Sequence, residues 1–423
     1  MKKTLLALSI PYILSAYTMQ ELFEALKNHS QTKFDTINVK KAEVAASQVT
    51  SQLYPTISLF GSYDNYSSPT NMKPISPNTM QSMLASSSTA QPYSYNIYKA
   101  GATFSVPIFV KSIYSTAQKA RALQRSAKER KKINLLEKEA IIVGSNANLL
   151  YLEELELSLQ SKEDSLKETQ KILDIKVKNA RASESALYII DEAINQVNIT
   201  KNNIEIQKQK LISTIQSITN IRLQKSVTMQ KVSTLNNTEL GSLKPLQEKL
   251  RASRLEIKAQ KDKLYPSVSA FGSYYFATAT SYNNSQSVDE EYGDIGVLVT
   301  IPLLAMNQYQ SIEKAKLELQ SDNMALEKLR DELNSKADML KSSLSLLDDS
   351  LILSNKSIEN KQKLLDIAKV SYKSGRLIVE EYLRYEDDMV DAKAKLYQVK
   401  AQKWQTLMEL AVVYANNIEE IVQ

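Results

Sequence analysis

Residues 53–63 read Leu53-Tyr-Pro-Thr-Ile-Ser-Leu-Phe-Gly-Ser-Tyr63, and residues 264–274 read Leu264-Tyr-Pro-Ser-Val-Ser-Ala-Phe-Gly-Ser-Tyr274. The same phrase twice in one chain says that the chain is two copies of one plan. Beyond each proline the residues alternate. Ile57, Leu59, Gly61 and Tyr63 fall on one side of an extended segment, while Ser58, Phe60, Ser62 and Asp64 fall on the other. In the second copy Val268, Ala270, Gly272, Tyr274 and Phe276 share a side. A period of two is that of a β-strand, here with one apolar and one mostly polar face.

Each strand has a partner further along. Tyr98, Ala100, Ala102, Phe104 and Val106 alternate with Lys99, Gly101, Thr103 and Ser105, and this strand closes at Val106-Pro107-Ile108. Its counterpart carries Ile295, Val297, Val299 and Ile301 and closes at Ile301-Pro302-Leu303. These segments are roughly nine to twelve residues long, the length that crosses a bilayer when tilted. Pro55 and Pro107 are 52 positions apart and Pro266 and Pro302 only 36, so the difference lies between the paired strands. Residues 67–94, rich in Pro, Ser and Met, and residues 277–291, rich in Ser, Asn and Thr, read as the external loops of two hairpins.

The rest of the chain is helical in character. From Pro107 to Pro245 there is no intervening proline, and from Pro302 to the end there is none and one glycine, Gly375. Leu326, Leu329, Leu333, Ala337, Leu340, Leu344, Leu347 and Leu351 are spaced three or four apart, as are Leu136, Ala140, Val143, Ala147 and Leu150. Ile190, Ile194, Val197, Ile204 and Leu211 continue the beat, as do Tyr382, Tyr385, Met389, Ala392, Leu396 and Val399. Such spacing predicts long helices packed lengthwise in coiled-coil fashion. A helix from Lys111 to Ala180 would be roughly 105 Å long at 1.5 Å per residue. Thr18-Met-Gln-Glu21 predicts a capped helix start, and Pro245 suits the first turn of another helix. The plan is helix, strand, loop, strand, very long helix, turn, long helix, and then the same again. It divides the chain into a first repeat over 17–222, a connector over 223–244 and a second repeat over 245–423.

Composition removes whole classes of function. The 423 residues include no cysteine and one histidine, His29, so thiolate metal sites, disulfides and cysteine nucleophiles are excluded. His29 has no nucleophile signature around it and reads as a surface helix residue. No catalytic, cofactor-binding or metal-binding residues are assigned, and the sequence does not read as an enzyme. The net charge of +6 is interspersed, and the most basic stretch, Arg125 to Lys132, contains Glu129 and no aromatics, which argues against nucleic acid. Lys2-Lys3, the apolar run Thr4 to Leu14 and the small Ser15 and Ala16 have the order of a secretory signal, expected over residues 1–16. No later run approaches the 18 apolar residues of a membrane-spanning helix.

Four strands with an apolar face cannot stand alone in lipid, because the amides along an open sheet edge would find no partner there. Two chains would pool eight strands around a filled interior, whereas three would pool twelve and leave room for a pore. The sequence therefore predicts a homotrimer in contact with lipid.

At this point the residues resemble a known family. The duplicated Leu-Tyr-Pro-x-[Ile/Val]-Ser strand opening, the [Val/Ile]-Pro strand close and the helical hairpins are similar to those of TolC-like outer-membrane efflux proteins over essentially the whole mature chain. The most specific stretch is Tyr372-Lys-Ser-Gly375-Arg376-Leu-Ile-Val-Glu-Glu381-Tyr-Leu-Arg384, with an aromatic residue, a glycine three later and an acid six after that. The resemblance implies an α+β membrane protein in which a long coiled-coil-like helical barrel in the periplasm continues a transmembrane β-barrel, with four strands per chain and twelve in a trimer. It implies a channel-tunnel in the outer membrane of a Gram-negative bacterium that exports small molecules or polypeptides. The periplasmic adaptor and inner-membrane pump are the implied partners, and no cofactor is. It further implies a periplasmic gate at the helical turns, with Tyr372, Gly375 and Glu381 matching the pattern, Arg376 and Arg384 beside them, and the first-repeat turn near Ser183. Acidic residues there would favour cations. Here Leu377 stands where the family often has arginine, Arg384 where a second acid often follows, and Ala180 and Ala186 where the first repeat would have glycine and acid. The alternative, a periplasmic coiled-coil adaptor or scaffold with no pore of its own, shares the leader and the helices but leaves the four strands without a use.

Overall fold

In the computed structural model, residues 17–85, 88–236 and 238–423 are described. The leader expected over residues 1–16 lies outside them. The elements run α1 (Met19–Asn28), α2 (Ser30–Ser51), β1 (Thr56–Asn71), α3 (Pro77–Leu84), β2 (Tyr93–Phe109), α4 (Lys111–Lys178) and α5 (Glu184–Thr219). There follow α6 (Lys244–Asp262), β3 (Ser267–Thr280), β4 (Ser287–Thr300), α7 (Met306–Lys373), α8 (Val379–Tyr414) and α9 (Ile418–Ile421). The duplication is visible in lengths: α4 and α7 each have 68 residues, and α5 and α8 each have 36. None of the described helices is long and apolar enough to cross a membrane.

The chain forms two compact units, one of residues 39–127 and 246–325, the other of residues up to 38, 128–245 and 326–423. The first of these holds an antiparallel sheet in the order β1-β2-β3-β4. Its register places Ile57, Phe104, Gly272 and Ile295 in one row and Ser58, Thr103, Ser273 and Asp294 in the next, so the two faces expected from the alternation are continuous across all four strands. Where α4 and α6 lie together, an ion-pair ladder joins them: Lys119 to Glu256 at 2.7 Å and Arg125 to Glu248 at 2.7 Å. At its sheet end Asp262, almost fully buried, accepts from Ser115 and pairs with Lys111, whose ammonium lies over the Tyr265 ring.

The strands are longer than expected, at 16, 17, 14 and 14 residues. The segment 277–291, expected as loop, is mostly strand, with Ala277 to Thr280 paired to Ser287 to Glu290 and only a tight turn between. Its Ser, Thr and acidic residues are loop-like in composition, but a hydrated ladder end tolerates them. The other expected loop, 67–94, contains the end of β1, helix α3 and the start of β2.

In the second unit, α1 begins with the expected capping box: Glu21 N–H donates to Thr18 Oγ1 at 3.2 Å, and Thr18 N–H donates to Glu21 Oε2 at 2.8 Å. Met19, Leu22, Phe23 and Leu26 of α1 pack with Leu136, Ile142 and Val143 of α4 and with Ile418 and Ile421 of α9. His29 is not a surface residue. It is 7% exposed and ends α1 in an extended conformation, splitting what would be one helix into α1 and α2. The connector is held by Asn146, whose side chain donates to Val227 O and accepts from Val227 N–H, and by a short ladder between Gln230 and Gln423. Leu152, Leu159, Leu166 and Leu173 of α4, seven apart, face Ile190, Val197 and Ile204 of α5, also seven apart. That spacing keeps one seam buried along an antiparallel helix pair.

One buried acid stands out in this core. Glu139 on α4 is 2% exposed, and its Oε2 has no hydrogen-bond partner among the described residues. Burial, and then the nearby Glu419 carboxylate, push its pKa up to about 8, against the opposing pull of Lys27. The folded state thus keeps a proton that the unfolded chain releases above its ordinary value of 4.5. Stability should fall as pH rises from there through about 8, by roughly 1.4 kcal/mol for each unit of displacement. Glu139→Gln should raise the thermal midpoint at pH 9 and flatten its dependence between pH 5 and 9. An unchanged pH profile in the variant would contradict this assignment.

Candidate functional site

Two surfaces carry chemistry, one on the sheet and one at the helical turns. On the sheet, the face of Ile57, Leu59, Ile295, Val297 and Val299 is uncovered, with Leu59 84% and Ile295 81% exposed. On β3 this face runs from Val268 to Phe276, roughly 27 Å at about 3.4 Å per residue, while on β4 it ends sooner, at the exposed Glu291 opposite Phe276, which accepts from Tyr274 Oη at 2.6 Å. On β1 and β2 it ends in the Tyr63–Tyr98 pair, with ring centroids 4.9 Å apart, next to a polar row in which Tyr63 Oη and Asn65 Nδ2 both donate to Asn96 Oδ1. Oily band, aromatic girdle and polar rim follow one another as they do on barrels in lipid.

The opposite face is polar. It carries Ser58, Thr103 and Ser273, with Ser273 donating to Asp294, and the ion pair of Lys99 with Asp64 at 3.1 Å. One row here is aromatic. Phe60 lies over Gly101 and meets the Tyr275 ring edge-on at 5.2 Å, and Tyr275 stacks on Tyr292 at 4.7 Å. A side chain at position 101 would come within 2.9 Å of the Phe60 ring, so the glycine lets the row close. Strands β1 and β4 are the outer strands of the sheet and, among the described residues, have no neighbour on one side.

The two helical turns are built alike. In the first, Ala180 takes the left-handed conformation at φ 52° and Arg181 N–H closes onto Lys176 O at 2.7 Å. In the second, Gly375 is left-handed at φ 74° and Arg376 N–H closes onto Ser371 O at 2.9 Å. Both are six-to-one closures of a helix C-terminus. Ser183 then caps α5, accepting from Ser185 N–H at 3.1 Å, while Ile378 stands at the same place before α8 with no side-chain cap. Glu380 and Glu381 lie in the first turn of α8, where the helix N-terminus favours acids. Arg181, Arg376, Glu381 and Arg384 are all exposed.

Behind the second turn, Tyr372 stacks on Tyr382 with centroids 5.0 Å apart. Tyr382, 1% exposed, is a hub: its hydroxyl donates to Glu386 and lies 2.8 Å from Ser165 Oγ, which itself donates to Glu386 Oε1 at 2.6 Å. Burial, and then the Glu386 carboxylate, hold the Tyr382 phenol above its usual range. Lys162 of α4 pairs with Asp387 of α8 one residue further on. These contacts tie α8 of the second repeat to α4 of the first. Of the residues expected at this site, only Tyr372 belongs to the buried network; Gly375 and Ser183 shape the turns, and Arg376, Glu381 and Arg384 sit on the surface. The sequence reading placed Tyr382 in a packing stripe and overlooked Ser165, Lys162, Glu386 and Asp387. The available signal was Glu386, an acid one helical turn after Tyr382 on the buried side of α8. No group of three or more potential metal-ligating side chains occurs among the described residues.

An alanine held at positive φ is strained by roughly 1 kcal/mol relative to glycine. Ala180→Gly should therefore slow amide exchange across residues 175–183 and raise resistance to thermal unfolding. Faster exchange would contradict the strained turn.

No protein-family profile matches the sequence, and no curated protein matches it. Solved structures do, over nearly the whole chain. The Campylobacter jejuni CmeC outer membrane channel superimposes with a TM-score of 0.75 at 18% identity, over 94% of this chain and 85% of that one. The outer membrane protein VceC of Vibrio cholerae gives 0.75 at 13% identity, over 94% and 96%. The open state of the Neisseria gonorrhoeae MtrE outer membrane channel gives 0.74 at 14% identity, over 95% and 90%. Likeness at these identities establishes the fold.

Proposed function

We propose that this chain, whose fold is that of the TolC-like outer-membrane channels, is one subunit of a homotrimeric export channel. The sheet carries the reading. It combines an exposed apolar face about as tall as a bilayer core, a polar opposite face and two unpaired outer strands. In hydrocarbon the edges must be paired, and β4 of one copy runs antiparallel to β1, so head-to-tail pairing around three copies closes a twelve-stranded barrel. The apolar face then meets outer-membrane lipid and the face with Ser58, Thr103, Lys99 and Asp294 lines the pore. The heptad-patterned helices have too many charges for lipid and stand in the periplasm. There the turns near Ser183 and Gly375 form the entrance, where an adaptor and an inner-membrane pump would dock.

In this reading the Tyr382–Ser165–Glu386 network and the Lys162–Asp387 pair hold the two hairpins of a subunit together, with Tyr372, Gly375, Arg376, Glu381 and Arg384 at the gate they fasten. Burying the phenol and carboxylate together makes the fastening all-or-none. A buried polar group stripped of its partner is costly, so the hairpins either keep the whole network or hydrate it by separating.

The test lies on the apolar face. Leu59→Arg and Ile295→Arg each place a cation where lipid would be, at roughly 2–4 kcal/mol near the midplane. Each should sharply reduce detergent-extractable trimer in the outer-membrane fraction and abolish solute efflux from reconstituted liposomes. If the variants instead remain fully assembled and active, or if the wild-type protein leaves cells by osmotic shock alone, the channel reading fails.

A further inference from the structure

The geometry points to a second constriction of the channel, at the end of the barrel far from the helices, where the β1–β2 hairpin folds inward and is clasped by Lys73 to Glu290. This rests on the channel reading and adds a distal gate to it.

The two hairpins stop running side by side near their tips. Up to Asn65 strand β1 is paired residue for residue with β2, but residues 66–69 then face a single residue of β2 before pairing resumes at Thr70 and Ser94. A bulge of this kind bends the strand that carries it. Beyond it the chain crosses the β3–β4 hairpin. Tyr282 N–H donates to Tyr93 O at 2.8 Å, Ser281 Oγ donates to Gln91 O at 2.6 Å, and Gln91 N–H donates to Asn283 Oδ1 at 3.1 Å. Gln91 and Tyr93 are thereby held on the turn between β3 and β4.

The face that this fold covers is the polar one. Ile97, Ala277 and Ala279 share it with Lys99 and Tyr275. Ile97 and Ala277 are nevertheless 0% exposed, because Met72 and Tyr66 pack on them. Phe276, which points to the opposite, apolar face, is 40% exposed, so the cover is one-sided. The Tyr66 hydroxyl accepts from Lys99 Nζ at 3.3 Å on the same side. Lys73, next to Met72, pairs with Glu290, the residue of β4 opposite Ala277. A residue that follows β1 thus reaches the far outer strand, which it does across the inner face.

Size turns this cover into an obstruction. Twelve strands about 4.8 Å apart and tilted by about 40° enclose a backbone radius of roughly 12 Å. A second layer of chain lies roughly 10 Å inside such a wall. Three copies that each fold Tyr66, Met72 and Lys73 inward therefore leave a narrow opening. The hold is of a kind that can be released. The Lys73 and Glu290 side chains are 31% and 14% exposed, and helix α3, which follows, is mostly exposed as well. An ion pair that water still reaches is worth little by itself.

With no native cysteine, accessibility from outside the cell reads the constriction directly. Ser58→Cys puts a thiol on the inner face at the helical end of β1, and a maleimide too bulky for general porins reaches it only past the folded hairpins. Labelling in intact cells should be slow in the otherwise unchanged protein. It should be several-fold faster with Lys73→Glu, which sets two carboxylates against each other, or with Met72→Asp. Adding Glu290→Lys to Lys73→Glu should restore slow labelling, which a merely misfolded hairpin would not do. Should Lys73→Glu not reach the membrane, Glu290→Gln, which removes the clasp without repulsion, is read in its place. Gln81→Cys on the exposed α3 should label rapidly throughout. Fast labelling of Ser58→Cys from the outset, or a slow rate that none of these substitutions alters in assembled trimers, would overturn the distal gate and leave the channel reading intact. A Gln81→Cys thiol out of reach in intact cells would overturn both.

Discussion

A β-sheet with one oily face is at home in lipid only if its edges disappear, because hydrocarbon offers no hydrogen bond to an open row of amides. In this chain that constraint falls on β1 and β4, the outer strands of a sheet with four members. Four strands are too few to curl into a barrel, so in the proposed channel the missing neighbours come from other copies. Much else is subordinate to this. The strands alternate side chains, since a one-residue slip would exchange the apolar face of Leu59 and Ile295 with the polar face of Ser58 and Asp294. The Phe60–Tyr275–Tyr292 row and the glycine beneath it pack on the polar face and add nothing to the apolar one.

The helical part answers a different requirement. Long helices in water gain little from propensity alone and are stabilised by burying one seam along their length. The leucines of α4 at seven-residue intervals do this against α5. The core around α1 and α9 ties the beginning and end of the described chain to the long helices. Within it Glu139 is buried with no hydrogen-bond partner for its Oε2 among the described residues, and burial pushes its carboxyl pKa up. At the turns, the seam gives way to a polar latch centred on Tyr382. The interaction joining the hairpins is thus of a kind that water can replace.

Much of this was legible in the sequence because duplication amplifies weak signals. One alternating segment after Tyr54-Pro55 could be a strand of any kind; the same segment after Tyr265-Pro266, each with a partner closing in proline, fixes two hairpins. The strand ends were not legible. Ala277 to Glu290 has the composition of a loop, and only its pairing partners reveal it as ladder. Nor was the break at His29, which contains neither glycine nor proline; the chain turns there through an ordinary extended conformation once α1 has buried its apolar face. The second helical turn was legible as a local pattern, but the polar network behind it was not. Ser165 and Glu386 are 221 positions apart, and no spacing rule connects them.

The closure of the sheet between copies is the point on which the rest depends, and the absence of cysteine makes it directly measurable. Single cysteines scanned along β1 and along β4, combined in pairs and oxidised in outer membranes, report which strands are neighbours. The expected result is a register of paired positions that cross-link β4 to β1 of another copy and yield covalent trimers on denaturing gels. Absence of any β1–β4 cross-link at every register, with the protein running as free monomer, would contradict it.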